Sequence, residues 1–512
     1  MKKFLKYSIC SVFLLFCVHT VTHGQMVPAS IVQTSTSVTG TPRQTGNDYL
    51  DDGTNKIEFS VWDLTNGASR FAWNVNGTSS GGYLGGGNAV DPDVALIEDS
   101  NGAIFVLVFY YDASNYSFKL EVRNWTGSTW SSYTGSPFTI SFDYYTTGLN
   151  IDADDDGHFV IVWDDHYNQV QGMAGYFDSM STLQFSILNI TTIASNGSFP
   201  DVCLYGNGSD RITYTYLSNG HLYVDSDDFS TLLSGSNSSV SQLLNVSPST
   251  VPGGSGTFYD PRIACPNANT GSSDEWTVVV LETDNTSKWD IQSYNYYNGS
   301  SNGPTVVNDG TNTYNGNINL TSYENYTPVV SYDNQSPYGI NIGWIYYADG
   351  MGPGSAVAHF PIVVTCDATA TPVWIQYVDY LEVPYGITTS DDDDALSLSG
   401  RNGNDLLFMT YSEVAANKVC WKSQSPINGA TNLRSDLTWN DLFSNNDIKA
   451  YDQIKVYNTL GVQIIDRDFN ATAIELNNVK NELMNYNSGL YIIQLINENR
   501  VERTIKVINQ QQ

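Results

Sequence analysis

Asp91-Pro-Asp-Val-Ala95, the turn Asn101-Gly102 and the run Phe105-Val-Leu-Val-Phe-Tyr-Tyr-Asp112 form a phrase that this 512-residue chain repeats. A short strand opens near Asp or Pro and passes through a Gly, Asn or Asp turn. A longer β-rich strand follows and closes on an aromatic, often with an acid after it. Period-two runs bounded by such turns are the signature of hairpin-connected strands. Leu149-Asn-Ile151 leads in the same way through Asp155-Asp-Gly157 to Phe159–Asp164, and Phe199–Cys203 leads to Ile212–Tyr216. Asp260–Ala264 leads to Trp276–Glu282, Asn317–Leu320 to Pro328–Asp333, and Ala395–Leu398 to Leu406–Tyr411. Ile57–Asp63 carries the second half alone.

The closing aromatics recur about every fifty residues, a period that several short strands per unit turn into a β-propeller. The phrase predicts an all-β protein with about seven blades over Gln25–Trp421, and the long interval from Tyr332 to Tyr411 leaves six or eight open. Stacked sandwich domains are the competing architecture. The repeats loosely resemble those of secreted sialidase-like propellers, although Asn124-Trp-Thr-Gly-Ser-Thr-Trp130 lacks the Asp of their turn motif.

Composition agrees with sheet. With 34 Tyr, 11 Trp and 42 Gly, the chain is rich in residues that pack on pleated surfaces and in turn formers. Its formal net charge is −31, carried almost wholly by Gln25–Trp421. Such a surface repels phosphate backbones, which excludes nucleic acid as a partner. It suits a protein that must stay dispersed, or one that offers carboxylates to Ca²⁺.

At the N-terminus, Lys2, Lys3 and Lys6 flank an apolar stretch from Ile9 to Val18, too short for a membrane span. It reads as a cleavable secretory signal over residues 1–24. Four cysteines follow it: Cys203, Cys265, Cys366 and Cys420. An even count in an exported chain permits two disulfides. Cys203 and Cys265 fall at similar places in successive repeats and Cys366 and Cys420 share the last one, so those pairings are expected.

Candidate chemistry is sparse. Asp152-x-Asp154-x-Asp156-Gly157 alternates carboxylates as a Ca²⁺ loop does. Position nine is Val160 and position twelve is Trp163, so the segment reads first as an Asp-rich hairpin turn. No other cofactor is expected. Acids at strand ends (Asp63, Asp112, Asp164, Glu282 and Asp333) are the candidates for paired-carboxylate glycoside hydrolysis, if they converge on a propeller's funnel. The arginines that would hold an acidic sugar are scattered (Arg43, Arg70, Arg123, Arg211, Arg262, Arg401), and no zinc-protease, serine-hydrolase or phosphate-loop motif occurs. Exposed aromatics would instead serve a binding face.

The tail has its own pattern. Ile454–Ile464 is a hairpin around Thr459-Leu-Gly461, and Asn487-Ser-Gly489 turns into Leu490–Ile496, which pairs with Val501–Ile508. Val456-Tyr-Asn-Thr-Leu-Gly461, Asn487-Ser-Gly-Leu-Tyr491 and Thr504-Ile-Lys-Val507, in that order after Pro426, resemble the C-terminal sorting domain of type IX secretion cargo. The family's usual Tyr-Pro-Asn-Pro entry is degenerate here. The resemblance covers Lys422–Gln512. It implies a small β-sandwich, with Gly461, Gly489, Tyr491 and Lys506 as motif residues and the type IX machinery as partner. It further implies export through the periplasm to the outer cell surface or medium. The chain thus reads as a secreted or surface binding protein for a glycan, matrix or protein ligand, with a secreted glycoside hydrolase as the alternative.

Overall fold

The structure is a computed structural model that describes most residues from 42 to 307 and, between 325 and 509, the strands given below. The expected signal segment and Asp333 lie outside the described residues. The chain divides into two compact units with the break between Asn428 and Gly429.

The larger unit is a succession of antiparallel sheets, each laid down in chain order. The first holds β1 (Pro42–Asp51), β2 (Lys56–Leu64), β3 (Ser69–Val75) and β4 (Thr78–Leu84). The second holds β5 (Ala89–Glu98), β6 (Ile104–Asp112), β7 (Ser117–Trp125) and β8 (Trp130–Ser132), with β9 (Phe138–Phe142) also on β7. The third holds β10 (Leu149–Ala153), β11 (His158–Asp164), β12 (Val170–Phe177) and β13 (Leu183–Phe185), with β14 (Thr191–Ala194) on β12. The fourth holds β15 (Ser198–Tyr205), β16 (Arg211–Ser218), β17 (His221–Asp228) and, after the short helix α1 (Phe229–Leu233), β18 (Ser241–Val246). A hairpin of β19 (Thr250–Val251) and β20 (Gly254–Ser255) precedes β21 (Thr257–Ala264), β22 (Trp276–Thr283), β23 (Trp289–Tyr297) and β24 (Ser300–Val306). Next come β25 (Asn325–Tyr332), β26 (Gly339–Ala348), β27 (Ala358–Asp367) and β28 (Asp379–Tyr380). The last sheet of this unit is β29 (Leu396–Ser399), β30 (Leu407–Glu413) and β31 (Lys418–Gln424).

The first strands of these sheets adjoin in cyclic order: β1, β5, β10, β15, β21, β25, β29 and back to β1. Sheets set around an axis with their first strands innermost make a β-propeller. The repeated phrase corresponds to the first two strands of a sheet: β5–β6, β10–β11, β15–β16, β21–β22 and β29–β30. One expectation is out of phase. Pro328–Tyr332 belongs to a first strand, β25, rather than a second. The proline explains the slip. In β5, β15, β21 and β25 an X-Pro pair sits at a one-residue register shift against the second strand, so proline marks the innermost position.

Packing explains the apolar runs. On β6, Phe105, Leu107, Phe109 and Tyr111 join the core shared with the third sheet, while Ile104, Val106, Val108 and Tyr110 join the core shared with the first. On β11, Phe159, Ile161 and Trp163 face one neighbour, and Val160 and Val162 the other. A strand covered on both faces loses the polar half of its alternation.

The sheet ending in β31 continues past Trp421, because Lys422–Gln424 complete the pairing with Leu407–Met409. The smaller unit contains a four-stranded antiparallel sheet, ordered β33 (Gln463–Asp468), β32 (Gln453–Asn458), β34 (Gly489–Asn497) and β35 (Arg500–Asn509). The two hairpins expected there are present, with Val456 opposite Ile465 and Leu490 opposite Ile508. Ile454, Val456 and Ile465 are buried. Among the described residues this unit shows the one sheet, and the rest of the expected sandwich falls outside them.

Candidate functional site: an aromatic platform between two sheets

Three segments meet at one rim of the propeller, where second strands end and the next sheet's first strand begins. They are the β6–β7 turn, the β9–β10 connection and the β11–β12 turn. The first carries Tyr116, the second Asp143 and Tyr144, and the third His166 and Tyr167. The ring centroids of Tyr116 and Tyr144 are 4.9 Å apart, those of Tyr144 and His166 are 6.0 Å apart, and those of His166 and Tyr167 are 3.6 Å apart. Tyr116 is 54%, Tyr144 56% and Tyr167 66% exposed. The His166 imidazole Nδ1 is paired with the Asp143 carboxylate. Large exposed rings in mutual contact beside a carboxylate–imidazole pair are what aromatic recognition requires: apolar faces to stack on and polar atoms to orient the ligand.

The platform rests on acids. Asp112 accepts from the Ser114 amide and hydroxyl at 3.1 and 2.7 Å and from Asn115 Nδ2 at 2.7 Å, which sets the turn ahead of Tyr116. Desolvation, the largest single effect, pushes its carboxyl up, but those hydrogen bonds together outweigh it and leave the carboxyl below the ordinary value. Asp164 accepts from the Gly148 amide at 3.0 Å and tethers the connection that carries Tyr144. Asp165 accepts from the Tyr167 and Gln169 amides, both at 2.9 Å, and so shapes the turn presenting Tyr167. Glu282 lies under the corresponding entry to β21, where a Cβ on Gly256 would come within 2.9 Å of its carboxylate oxygen. Asp63 is buried at the end of β2. The strand-end acids Asp63, Asp112, Asp164 and Glu282 thus occupy equivalent rim positions, where those with identified partners brace loops.

A second polar region lines the axis. Asp93 on β5 accepts from Ile151 N at 3.0 Å, and Asp201 on β15 from Ile263 N at 2.8 Å, each reaching across to the next sheet's first strand. Arg262 Nη1 donates to Asn150 Oδ1 at 3.0 Å, and its Nη2 pairs with Asp260 at 3.0 Å. Burial pushes the Asp93 carboxyl up to about 7 and that of Asp201 up to about 6. Arg262 opposes both shifts.

The Ca²⁺ candidate resolves into separate roles. Asp152 accepts from Leu204 N across a sheet seam at 2.7 Å. Asp154 accepts from the Asp156 and His158 amides and pairs with His158 Nδ1 at 2.9 Å. Among the described residues no group of three or more His, Cys, Asp or Glu side chains forms a metal site. Gly489 opens β34; Gly461 and the side chains of Tyr491, Lys506, Cys366 and Cys420 lie outside what the structure describes.

Sequence reasoning missed the platform and the axial residues, although both left traces. Tyr116, Tyr144 and Tyr167 stand in polar turns, outside the alternation that buries most aromatics here. Asp93, Asp201 and Arg262 each follow the proline of the repeated phrase.

No family model and no curated protein sequence matches this chain. Among solved structures it is similar to a fucose-specific lectin from Aleuria aurantia, at 13% identity over 68% of this chain and 100% of that one, with a TM-score of 0.38. A protein of unknown function from Dyadobacter fermentans gives 9% identity over 79% and 100%, with a TM-score of 0.38. An α-L-arabinanase from Penicillium chrysogenum gives 10% over 78% and 98%, with a TM-score of 0.35. Likeness at this level carries no argument about the ligand. Among the described residues no helix is long and apolar enough to cross a membrane.

Proposed function

We propose that this protein is an exported glycan-binding protein whose seven-bladed propeller presents the Tyr116–Tyr144–His166–Tyr167 platform to a sugar. The observation that carries the reading is the platform itself: exposed tyrosines from three separate loops, in contact, each held by a buried acid. Support for seven blades comes from the cyclic contacts of β1, β5, β10, β15, β21, β25 and β29. Pyranose rings offer an apolar C–H face to the tyrosines and hydroxyls to Asp143 and His166.

A hydrolase would draw on Asp93 and Asp201, whose carboxyls titrate nearer neutrality than ordinary ones. Each of these carboxylates, however, is engaged by backbone amides on its own strand and the next: Val94 and Ile151 for Asp93, Val202 and Ile263 for Asp201. Acids that clasp neighbouring strands in this way hold the ring together, and the exposed platform makes binding the better reading.

Screening the purified protein on a glycan array and titrating the best sugar by calorimetry tests it. Tyr144→Ala and Tyr167→Ala should each weaken binding by roughly tenfold, the scale of one aromatic contact. Parent-like affinity in both variants would place the sugar elsewhere, and turnover of chromogenic glycosides lost in Asp93→Asn would favour the hydrolase.

The tail is proposed to act as a type IX sorting signal, resting on its motif order. Deleting Asp447–Gln512 should leave the protein in the periplasm; undiminished release would refute the assignment.

A further inference from the structure

At the seam between the second and third sheets, Asp93 clasps Ile151 N. Two residues on, along both first strands, stand Ala95 and Ala153, buried in one shared cluster. At the seam between the fourth and fifth sheets, Asp201 clasps Ile263 N in the same way. Two residues on, the corresponding positions are Cys203 and Cys265. Because side chains two apart share a face, the thiols are brought together by the register of the clasp. They are fully buried in a common cluster, hydrogen-bonded to each other and unbridged.

A pair of alanines at the equivalent seam shows that packing there needs only two small apolar side chains. Cysteine at both members of one pair, in mutual contact, goes beyond that need. We propose that Cys203 and Cys265 form a disulfide in the mature protein, cross-linking adjacent blades beside the axis. Two thiols become one S–S bond; their two protons and two electrons pass to a disulfide-bearing oxidant by thiol–disulfide exchange, which is reduced to its dithiol. Burial pushes both thiols up from their ordinary value, and the thiolate is the attacking species. The bond therefore forms while the fourth and fifth sheets are still docking, and in the closed ring it is shielded from reductant.

The bond is tested on full-length protein produced in an oxidising compartment and, separately, in a reducing one. The oxidised preparation, denatured without reductant, should withhold Cys203 and Cys265 from maleimide and give one linked pair of peptides carrying both. Cys203→Ala/Cys265→Ala, which copies the Ala95–Ala153 seam, should fold and bind sugar as the parent does. Melting in reductant should lower the parent's Tm by several degrees more than it lowers the variant's, which keeps Cys366 and Cys420. Full alkylation of both cysteines in the oxidised preparation, or linkage of either to Cys366 or Cys420, would overturn the proposal.

Discussion

Tyr116 holds its backbone at a φ of 50°, a left-handed conformation that favours glycine or asparagine and is costly for a bulky side chain. Its ring is more than half exposed, so core packing does not repay that strain, and its ring contact is with Tyr144. Strain at an exposed ring motivates the test of the proposed platform. Tyr116→Gly should therefore unfold at a Tm no lower than the parent while binding the sugar several-fold more weakly, as thermal melts and titration calorimetry would show. Asp112 acts through the turn it caps. Asp112→Ala removes three accepted hydrogen bonds, and the loosened turn should cost a few-fold in affinity and about 1–2 kcal/mol in stability, the scale of a lost cap. Asp112 and Asp164, candidates for catalysis in the sequence, each hold a loop through accepted hydrogen bonds.

At the scale of elements, the seams between sheets decide stability. Four of them join an apolar layer to an Asp clasp near the axis: Asp48 to Leu96 N at 2.7 Å, Asp93 to Ile151 N, Asp152 to Leu204 N and Asp201 to Ile263 N. The ring closes with Ser399, which accepts from Tyr49 N at 3.1 Å and donates to Asp48 at 2.7 Å. Asp201→Ala would leave the Ile263 and Val202 amides unpaired and Arg262 short of a counter-charge, a loss of roughly 3–5 kcal/mol. In the apolar layer, Trp163 is fully buried against Phe109 and Phe118. Trp163→Ala should cost about 3–5 kcal/mol. Chemical denaturation of both variants checks these values, and a near-neutral Asp201→Ala would mean that the clasp is dispensable.

For the whole molecule, pH and charge act together. Asp93 and Asp201 have folded-state values raised by burial, to about 7 and about 6, so the folded chain holds protons that the unfolded chain has released. Their contribution is fully present below the unfolded value near 4 and is lost as pH rises through 6 to 7. Asp112 is lowered, so its contribution is present above the unfolded value and is lost as pH falls through the lowered one. Tm should peak near pH 4 and decline as pH rises to about 7. Asp93→Asn should flatten that decline, and a Tm still rising from pH 6 to 8 would contradict the assignment. The net charge of −31 adds repulsion that salt screens. The same field should disfavour anionic sugars, so a glycan array at low salt should favour neutral ligands over uronate- or sialate-bearing ones.

The sequence alone determined the sheet content, the repeat and its proline-marked start, and the two C-terminal hairpins. Turn chemistry and alternation are local properties, and Asp91-Pro92 or Asn487-Ser-Gly489 states them within a few residues. Where Pro328 was misplaced by one strand, the local signal was present and the longer period was misread. The platform was not legible, because Tyr116, Tyr144 and Tyr167 come from three turns and nothing local says that those turns share a rim. Nor could alternation show that Asp93 reaches Ile151, whereas the meeting of Cys203 and Cys265 was legible from their like places in successive repeats. The platform and the Asp93 clasp exist only once the sheets are docked around an axis, since the register between neighbouring sheets is set by packing and not by any one strand.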